Sequence, residues 1–169
     1  MSSSNLSNGE KRKIANERQN AVRKAWKNEG ERIKLGKGIR KWNPEEQREI
    51  LERGSAKGYE GHHMKSVSLF SQYAGEPNNI QFLTEEEHLY GAHNGSYHNL
   101  TNGYYDPYEK RMIEFQGDKL SEIPEYDLGI DEASGLKEEI LNQYSDDNNT
   151  MNNEDETILT SEESNTYEV

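Results

Sequence analysis

The chain has 169 residues, of which only 28 are Leu, Ile, Val or Phe, and it carries a net charge of −12; this excludes one large hydrophobic core over the whole length. No apolar run approaches the ~18 residues of a membrane-spanning helix, and the polar start MSSSNLSNGEKRK lacks the apolar stretch of a secretory signal. With no cysteine, disulfides and thiolate metal sites are excluded together. Charge is unevenly distributed. Residues 1–58 carry 15 Lys/Arg against 8 Asp/Glu (+7), residues 59–116 carry 3 against 8 (−5), and residues 117–169 carry 2 against 16 (−14). An overall acidic protein therefore contains a basic N-terminal segment suited to phosphate groups.

In chain order, Glu10 to Glu29 contains no Pro or Gly, and Ile14, Val22 and Trp26 are spaced for one helix face. Gly36 and Gly38 interrupt the chain, after which Asn43-Pro44-Glu45-Glu46 predicts an N-cap with proline at the first helical position and a short helix to about Arg53. The alternating stretch Ser66-Val67-Ser68-Leu69 predicts extended chain, Gly75-Glu76-Pro77-Asn78 a turn, and Asn79–Leu83 a returning strand with Ile80 and Phe82 on one face. Thr84-Glu85-Glu86-Glu87 matches a capping box and predicts a helix beginning at Thr84. Ser134 would cap a short helix to Tyr144, and from Ser145 the sequence has too little apolar surface to offset the entropy of ordering it. The predicted organisation is thus a basic helical segment (1–58), a central unit (59–116), a partly ordered acidic extension (117–144) and a disordered acidic tail (145–169).

All five histidines lie between His62 and His98. Adjacent residues of a strand face opposite ways, so His62 and His63 cannot both ligate one ion from ordinary strand geometry, but they can divide the labour. One imidazole holds a metal while its neighbour accepts a proton from water near neutral pH. A strand, turn, strand and helix bring His62 and His88 together. A spacing of five rotates His93 by about 140° from His88 in an ideal α-helix, which leaves the third ligand open. Asn79 is placed to brace the geometry of the base through its amide. His98 reads as an ordinary surface histidine, and Asn94-Gly95-Ser96 as a turn.

The arrangement Gly61-His62-His63, Asn79-Ile80, His88 and His93 resembles the HNH, or His-Me finger, endonucleases, and more narrowly the GHH-signature nuclease domains of bacterial polymorphic toxins. The resemblance covers roughly residues 58–107 and does not extend to the basic arm or the acidic tail. It implies a small ββα-metal core, which together with the N-terminal helices and disordered acidic C-terminal tail read from the residues gives an expected α+β fold. It further implies that His63 is the general base and that Asn79 orients it. His62 and His88 would ligate one divalent cation, with His93 completing the set. The chain departs from many relatives in placing His93 five rather than four residues after His88. The family's substrate is DNA, and an immunity protein commonly accompanies the toxin.

Phosphodiester hydrolysis needs a base, stabilisation of negative charge at phosphorus and an electrophile for the leaving oxygen, which a base and one metal can meet. The ion stays open among Mg²⁺, Mn²⁺, Zn²⁺ and Ni²⁺. Lys65, Lys110 and Arg111, with the basic arm, are the expected nucleic-acid contacts. Two alternatives remain: an RNA-cleaving toxin of the same fold, and a non-catalytic binding module stapled by a structural metal. The expected location is cytoplasmic, or a target cell reached by a signal-peptide-independent secretion system.

Overall fold

A computed structural model describes residues 5–129. The predicted 134–144 helix and the 145–169 tail lie outside the described residues. The described chain is α+β, ordered as helix α1 (Asn8–Lys34), strand β1 (Lys37–Gly38), helix α2 (Pro44–Arg53), strands β2 (Tyr59–His63) and β3 (Ile80–Thr84), a π-helical turn at Glu87–Ala92, and strands β4 (Gly103–Asp106), β5 (Arg111–Glu114) and β6 (Tyr126–Asp127). The strands form three antiparallel pairs, β1 with β6, β2 with β3 and β4 with β5.

Both helices begin where their caps dictate. Ser7 and Glu10 form a reciprocal capping box at α1, and Asn43 and Glu46 do the same at α2, with Pro44 in its first turn. α1 runs past the expected end at Glu29 to Lys34, because tertiary packing outweighs the poor helix propensity of Gly30. Glu29 itself is fully buried. Its Oε1 accepts hydrogen bonds from Trp42 Nε1 (2.8 Å) and the Ile39 amide (2.9 Å), while Oε2 accepts one from Arg32 (3.2 Å). This acidic group therefore ties the chain after α1 back onto the helix. Burial raises its pKa, against the lowering effect of Trp42 and Ile39.

The main core is assembled from both halves of the described chain. Ala21, Ala25, Trp26 and Ile33 of α1 meet Trp42, Ile50 of α2, and Ile80 and Phe82 of β3. Trp26 stacks on Phe82 with ring centroids 3.7 Å apart. The expected shared face of Ile80 and Phe82 is thus the face turned to the helices. Extended structure at Ser66–Leu69 is not found: residues 67–69 form a turn, and the first strand of the hairpin is Tyr59–His63. Side chains explain the difference. Ser66 and Thr101 are hydrogen-bonded to each other, and Asn79 Oδ1 accepts the Lys65 amide, so residues 65–66 are held by distant segments instead of by a ladder. The predicted turn is present, closing as a 3₁₀ turn at Pro77–Asn79.

β2 and β3 pair in the register Gly61↔Phe82, His62↔Gln81 and His63↔Ile80. The face of β2 that carries Gly61 lies directly against α1: a Cβ added at Gly61 would sit 2.7 Å from Val22 Cγ2. The glycine is required by close approach. Gly61→Ala should therefore cost about 1–3 kcal/mol through overpacking, and Val22→Ala in the same chain should recover part of that loss. Urea unfolding of the two single variants and the double variant checks this, and simple additivity would contradict it.

Candidate metal centre

The sites of the histidines follow from three local structures. His62, on β2, faces away from α1, in register with Gln81 of β3. His88 and His93 lie at the start of and just beyond the π-helical turn. That turn grows from the predicted capping box: the Thr84 amide donates to Glu87 (2.9 Å) and the Glu87 amide to Thr84 Oγ1 (3.2 Å). Glu87 also receives a two-pronged ion pair from the buried Arg40 guanidinium (2.8 and 3.1 Å), which donates as well to the Phe82 carbonyl. The start of the turn is thereby fixed to β3 and to the segment between β1 and α2.

An α-helix was expected here. The observed i→i+5 bonding, with the His93 amide donating to the His88 carbonyl at 3.0 Å, widens the turn. Residues five apart then return to nearly the same side. His93 thereby joins His62 and His88 as a candidate third ligand. Gly91, inside the turn, is packed so closely on Tyr105 that an added Cβ would lie 2.5 Å from its Cζ.

His62, His88 and His93 form a triangle with ring centroids 4.9, 5.0 and 4.9 Å apart. Each offers a ring nitrogen, and these nitrogens all lie within 4.8 Å of one another, a group able to hold a metal ion. The hydrogen bonds indicate which atoms converge. His88 Nδ1 is bonded to Glu60 Oε2 (2.8 Å) and His93 Nδ1 to the Asn99 carbonyl (2.7 Å), leaving each Nε2 free. His62 Nε2 is buried and has no hydrogen-bond partner among the described residues. An orphaned buried nitrogen is costly unless something accepts its lone pair, and a cation shared with two further Nε2 atoms does so. Outer partners of this kind fix tautomer and ring orientation in metal sites. The residues therefore fit a divalent ion.

Burial pushes the His62 pKa well below the usual imidazole range, and the neighbouring His88, His93 and His63 rings push it further. Burial likewise lowers that of His93. Neutral imidazole is the ligating form, so burial favours the ligating state of His62 and His93.

His63 stands apart from the triangle, on the α1 side of β2. Its Nε2 is bonded to the Ala74 carbonyl at 3.0 Å, which makes Nε2 the protonated nitrogen and leaves Nδ1 as an acceptor. Burial lowers its pKa, with the Ala74 bond opposing and Arg18 assisting. Asn79 is fully buried but makes no hydrogen bond to His63. Its amide donates to the carbonyls of Lys65 (3.1 Å) and Tyr73 (3.4 Å), while its Oδ1 accepts the Lys65 amide (2.8 Å). It staples the 65–73 loop, whose next residue, Ala74, holds the imidazole.

Lys65 requires correction as a nucleic-acid contact. It is 0% exposed, its Nζ donates to Asn102 Oδ1 (2.7 Å) and the Gly117 carbonyl (3.0 Å), and it lies over the Phe70 ring. A buried ammonium so occupied supports the loops and does not meet phosphate. Lys110 and Arg111 are exposed at the β4–β5 hairpin, where Arg111 pairs in register with Asp106. His98 is exposed, outside the triangle.

Two neighbours were not anticipated. Glu60, the residue bound to His88, lies two before His62 on β2, and strand alternation puts both on one face, so its role was available from spacing alone. Tyr97, half exposed, packs edge-on against His88 and His93 with ring centroids 5.1 and 5.4 Å away. No pattern in the sequence marks it.

Residues 8–84 match a known family, the GHH signature containing HNH/Endo VII superfamily nuclease toxins. The match begins at α1, so the basic helical segment excluded from the initial resemblance belongs to it. Its packing against Gly61 and Phe82 gives the physical reason. His62, His63 and Asn79 fall inside the match, whereas His88 and His93 lie beyond it and join the site by geometry. Among curated proteins, 71 residues are 39% identical to Teneurin-3 of Mus musculus, 38% to Teneurin-3 of Danio rerio and 37% to Teneurin-4 of Homo sapiens. In each case the aligned stretch is 41% of this chain and 3% of the relative. The chain thus spans only a small part of these relatives' length. Among the described residues, no helix is long and apolar enough to cross a membrane.

Two outcomes test the site. Zinc at 100-fold its dissociation constant should stabilise the protein by about 2.7 kcal/mol, read as a rise in melting temperature that excess chelator reverses and His93→Ala abolishes. In excess chelator, the unfolded chain binds protons below about pH 6.5 while buried His62 and His93 resist them. Stability of the metal-free protein should therefore hold above that pH and fall as pH drops from 6.5 toward 5, and His62→Gln should flatten the decline. A pH-independent melt over this window would contradict burial of neutral imidazoles.

Proposed function

We propose that this protein is a metal-dependent endonuclease acting on DNA, built on a ββα-metal core in which β2, β3 and the following helical turn carry the site. The observation that carries the reading is the division within the histidine pair. His62 Nε2 converges with His88 and His93, while His63, its neighbour, is held in the opposite tautomeric sense by Ala74 with Nδ1 left to accept a proton. A closed structural site has no use for the second arrangement, and structural zinc sites commonly take four ligands with cysteine among them.

In this reading His62, His88 and His93 hold one divalent cation. When bound, the ion supplies Lewis-acid stabilisation of the negative charge that develops on the phosphate and its leaving oxygen. His63 Nδ1 takes the proton from the attacking water. Because β2 ends at His63, residues facing opposite sides of the strand can address one substrate at its tip. Asn79 preserves the base indirectly, by holding the loop that delivers the Ala74 carbonyl. Glu60 fixes the His88 ring. Exposed Lys110 and Arg111 are proposed as peripheral phosphate contacts.

The nuclease-toxin match supports a toxin or effector role, with a bacterial source, a cognate immunity protein and a cytoplasmic or signal-peptide-independent route as parts of the same proposal. Because the sequence carries no recognisable base-reading motif, the proposal includes cleavage that depends weakly on sequence.

Plasmid nicking with Mg²⁺, Mn²⁺, Zn²⁺ or Ni²⁺ tests the assignment. His63→Ala should lose cleavage by 10²-fold or more, roughly the contribution of a general base, while still showing the metal-induced rise in melting temperature. His88→Ala should lose both. Wild-type protein that binds metal but cuts neither DNA nor RNA would make the site structural, and cleavage of RNA alone would shift the substrate class.

A further inference from the structure

We propose that the groove between the N-terminal half of α1 and the loop after β2 binds the sugar–phosphate backbone of DNA beside the base, with Arg18 and Lys11 contacting phosphates that flank the scissile one. This inference rests on the nuclease reading and specifies how the substrate is held.

The position of Arg18 follows from packing. Gly61 and His63 are two apart on β2 and share the face turned to α1, where Val22 covers Gly61. Two strand residues span about 6.6 Å, and four helix residues about 6.0 Å. One turn back from Val22, on the same helix face, is Arg18. The neighbouring Glu17 Cβ lies 3.6 Å from where a Cβ on Gly75 would be, directly after the Ala74 that binds His63. α1 therefore runs antiparallel to β2 and brings Arg18 alongside the base. The electrostatic influence of Arg18 on His63 agrees with this placement.

The groove is lined by Leu6, Lys11, Ile14, Arg18, Val67 and Ser71, among others, and has a volume of about 390 Å³. That is the size of a small-ligand cleft, enough for one strand's sugar and phosphate and too small for a duplex. Its walls are aliphatic, with no aromatic ring on which a base would stack, so the backbone is the part of the polymer that fits. Arg18 and Lys11 are exposed, and neither enters an ion pair or side-chain hydrogen bond among the described residues. Charge complementarity selects the occupant. Residues 8–27 carry seven Lys/Arg (Lys11, Arg12, Lys13, Arg18, Arg23, Lys24, Lys27) against two acids, Glu10 and Glu17. Those acids border the adjoining groove on the other side of Ile14, and Glu10 is engaged with Ser7. The strand is thereby directed to the Lys11–Arg18 side.

The test uses the full chain. Binding of a labelled DNA duplex is measured by fluorescence anisotropy in excess chelator, across salt concentrations, for wild type, Arg18→Ala, Arg18→Lys, Lys11→Ala and a control, Arg53→Ala. Each lost phosphate contact should lower the slope of log affinity against log salt by about 0.9. Arg18→Ala and Lys11→Ala should each show that loss and weaken binding several-fold, Arg18→Lys should largely restore it, and Arg53→Ala should match wild type. In the presence of metal, Arg18→Ala should raise KM for plasmid cleavage by a larger factor than KM for bis(p-nitrophenyl) phosphate, which lacks flanking phosphates. An unchanged salt slope in both alanine variants overturns the groove proposal even if the wild type cuts DNA. Equal loss on the small diester would place Arg18 at the scissile phosphate and overturn the flanking assignment. A wild type that binds DNA through this groove but hydrolyses neither substrate would sink the nuclease reading and leave the groove standing.

Discussion

A buried imidazole nitrogen without a hydrogen-bond partner is the constraint around which the described structure is arranged. His62 sits 1% exposed, its Nε2 has no hydrogen-bond partner among the described residues, and a ring nitrogen from each of His62, His88 and His93 lies within 4.8 Å of the others. Burial disfavours the charged form of His62 and of His93, and the neighbouring imidazoles add to the effect. Three imidazoles so placed form a group able to hold a metal ion. Everything nearby serves to hold the rings in that arrangement: Glu60 on His88, the Asn99 carbonyl on His93, and a strand pairing that keeps His62 opposite Gln81.

The supporting structure is small, so its parts carry more than one duty. Glu87 closes the capping box at Thr84 and also anchors Arg40, whose guanidinium reaches the Phe82 carbonyl. Gln81, in register with His62, donates through its amide to the Tyr105 carbonyl and accepts the Tyr105 amide, which attaches the β4–β5 hairpin to the site strand. α1 supplies Ala21, Ala25, Trp26 and Ile33 to the main core and, through Val22, the surface that demands glycine before the histidine pair. A helix with this role cannot be a detachable basic arm, and the family match extending to residue 8 is consistent with its structural integration.

Sequence reasoning reached the parts of the site set by local rules. The N-cap at Asn43 and the capping box at Thr84 appear where the residues specify them, and the strand alternation that separates His62 from His63 is present. What escaped was decided by tertiary contacts. The five-residue interval between His88 and His93 conflicts with an α-helix and fits a π turn, a choice made by packing of Gly91 on Tyr105 and by the i→i+5 bond. Lys65 looks like a surface cation in the sequence. Only the fold reveals that Asn102 and Gly117, far along the chain, enclose it. Asn79, expected to orient His63, makes no hydrogen bond to that ring and instead holds the 65–73 loop; the imidazole is reached through Ala74, a backbone carbonyl that no side-chain pattern can announce.

Convergence of three imidazoles on a single ion is the claim on which the chemistry rests, and X-ray absorption at the zinc edge measures it most directly. The account predicts a first shell containing three imidazole nitrogens at about 2.0–2.1 Å, with the multiple-scattering signature of the rings, in protein loaded with one equivalent of zinc. A shell of oxygen atoms with one imidazole or none would contradict it.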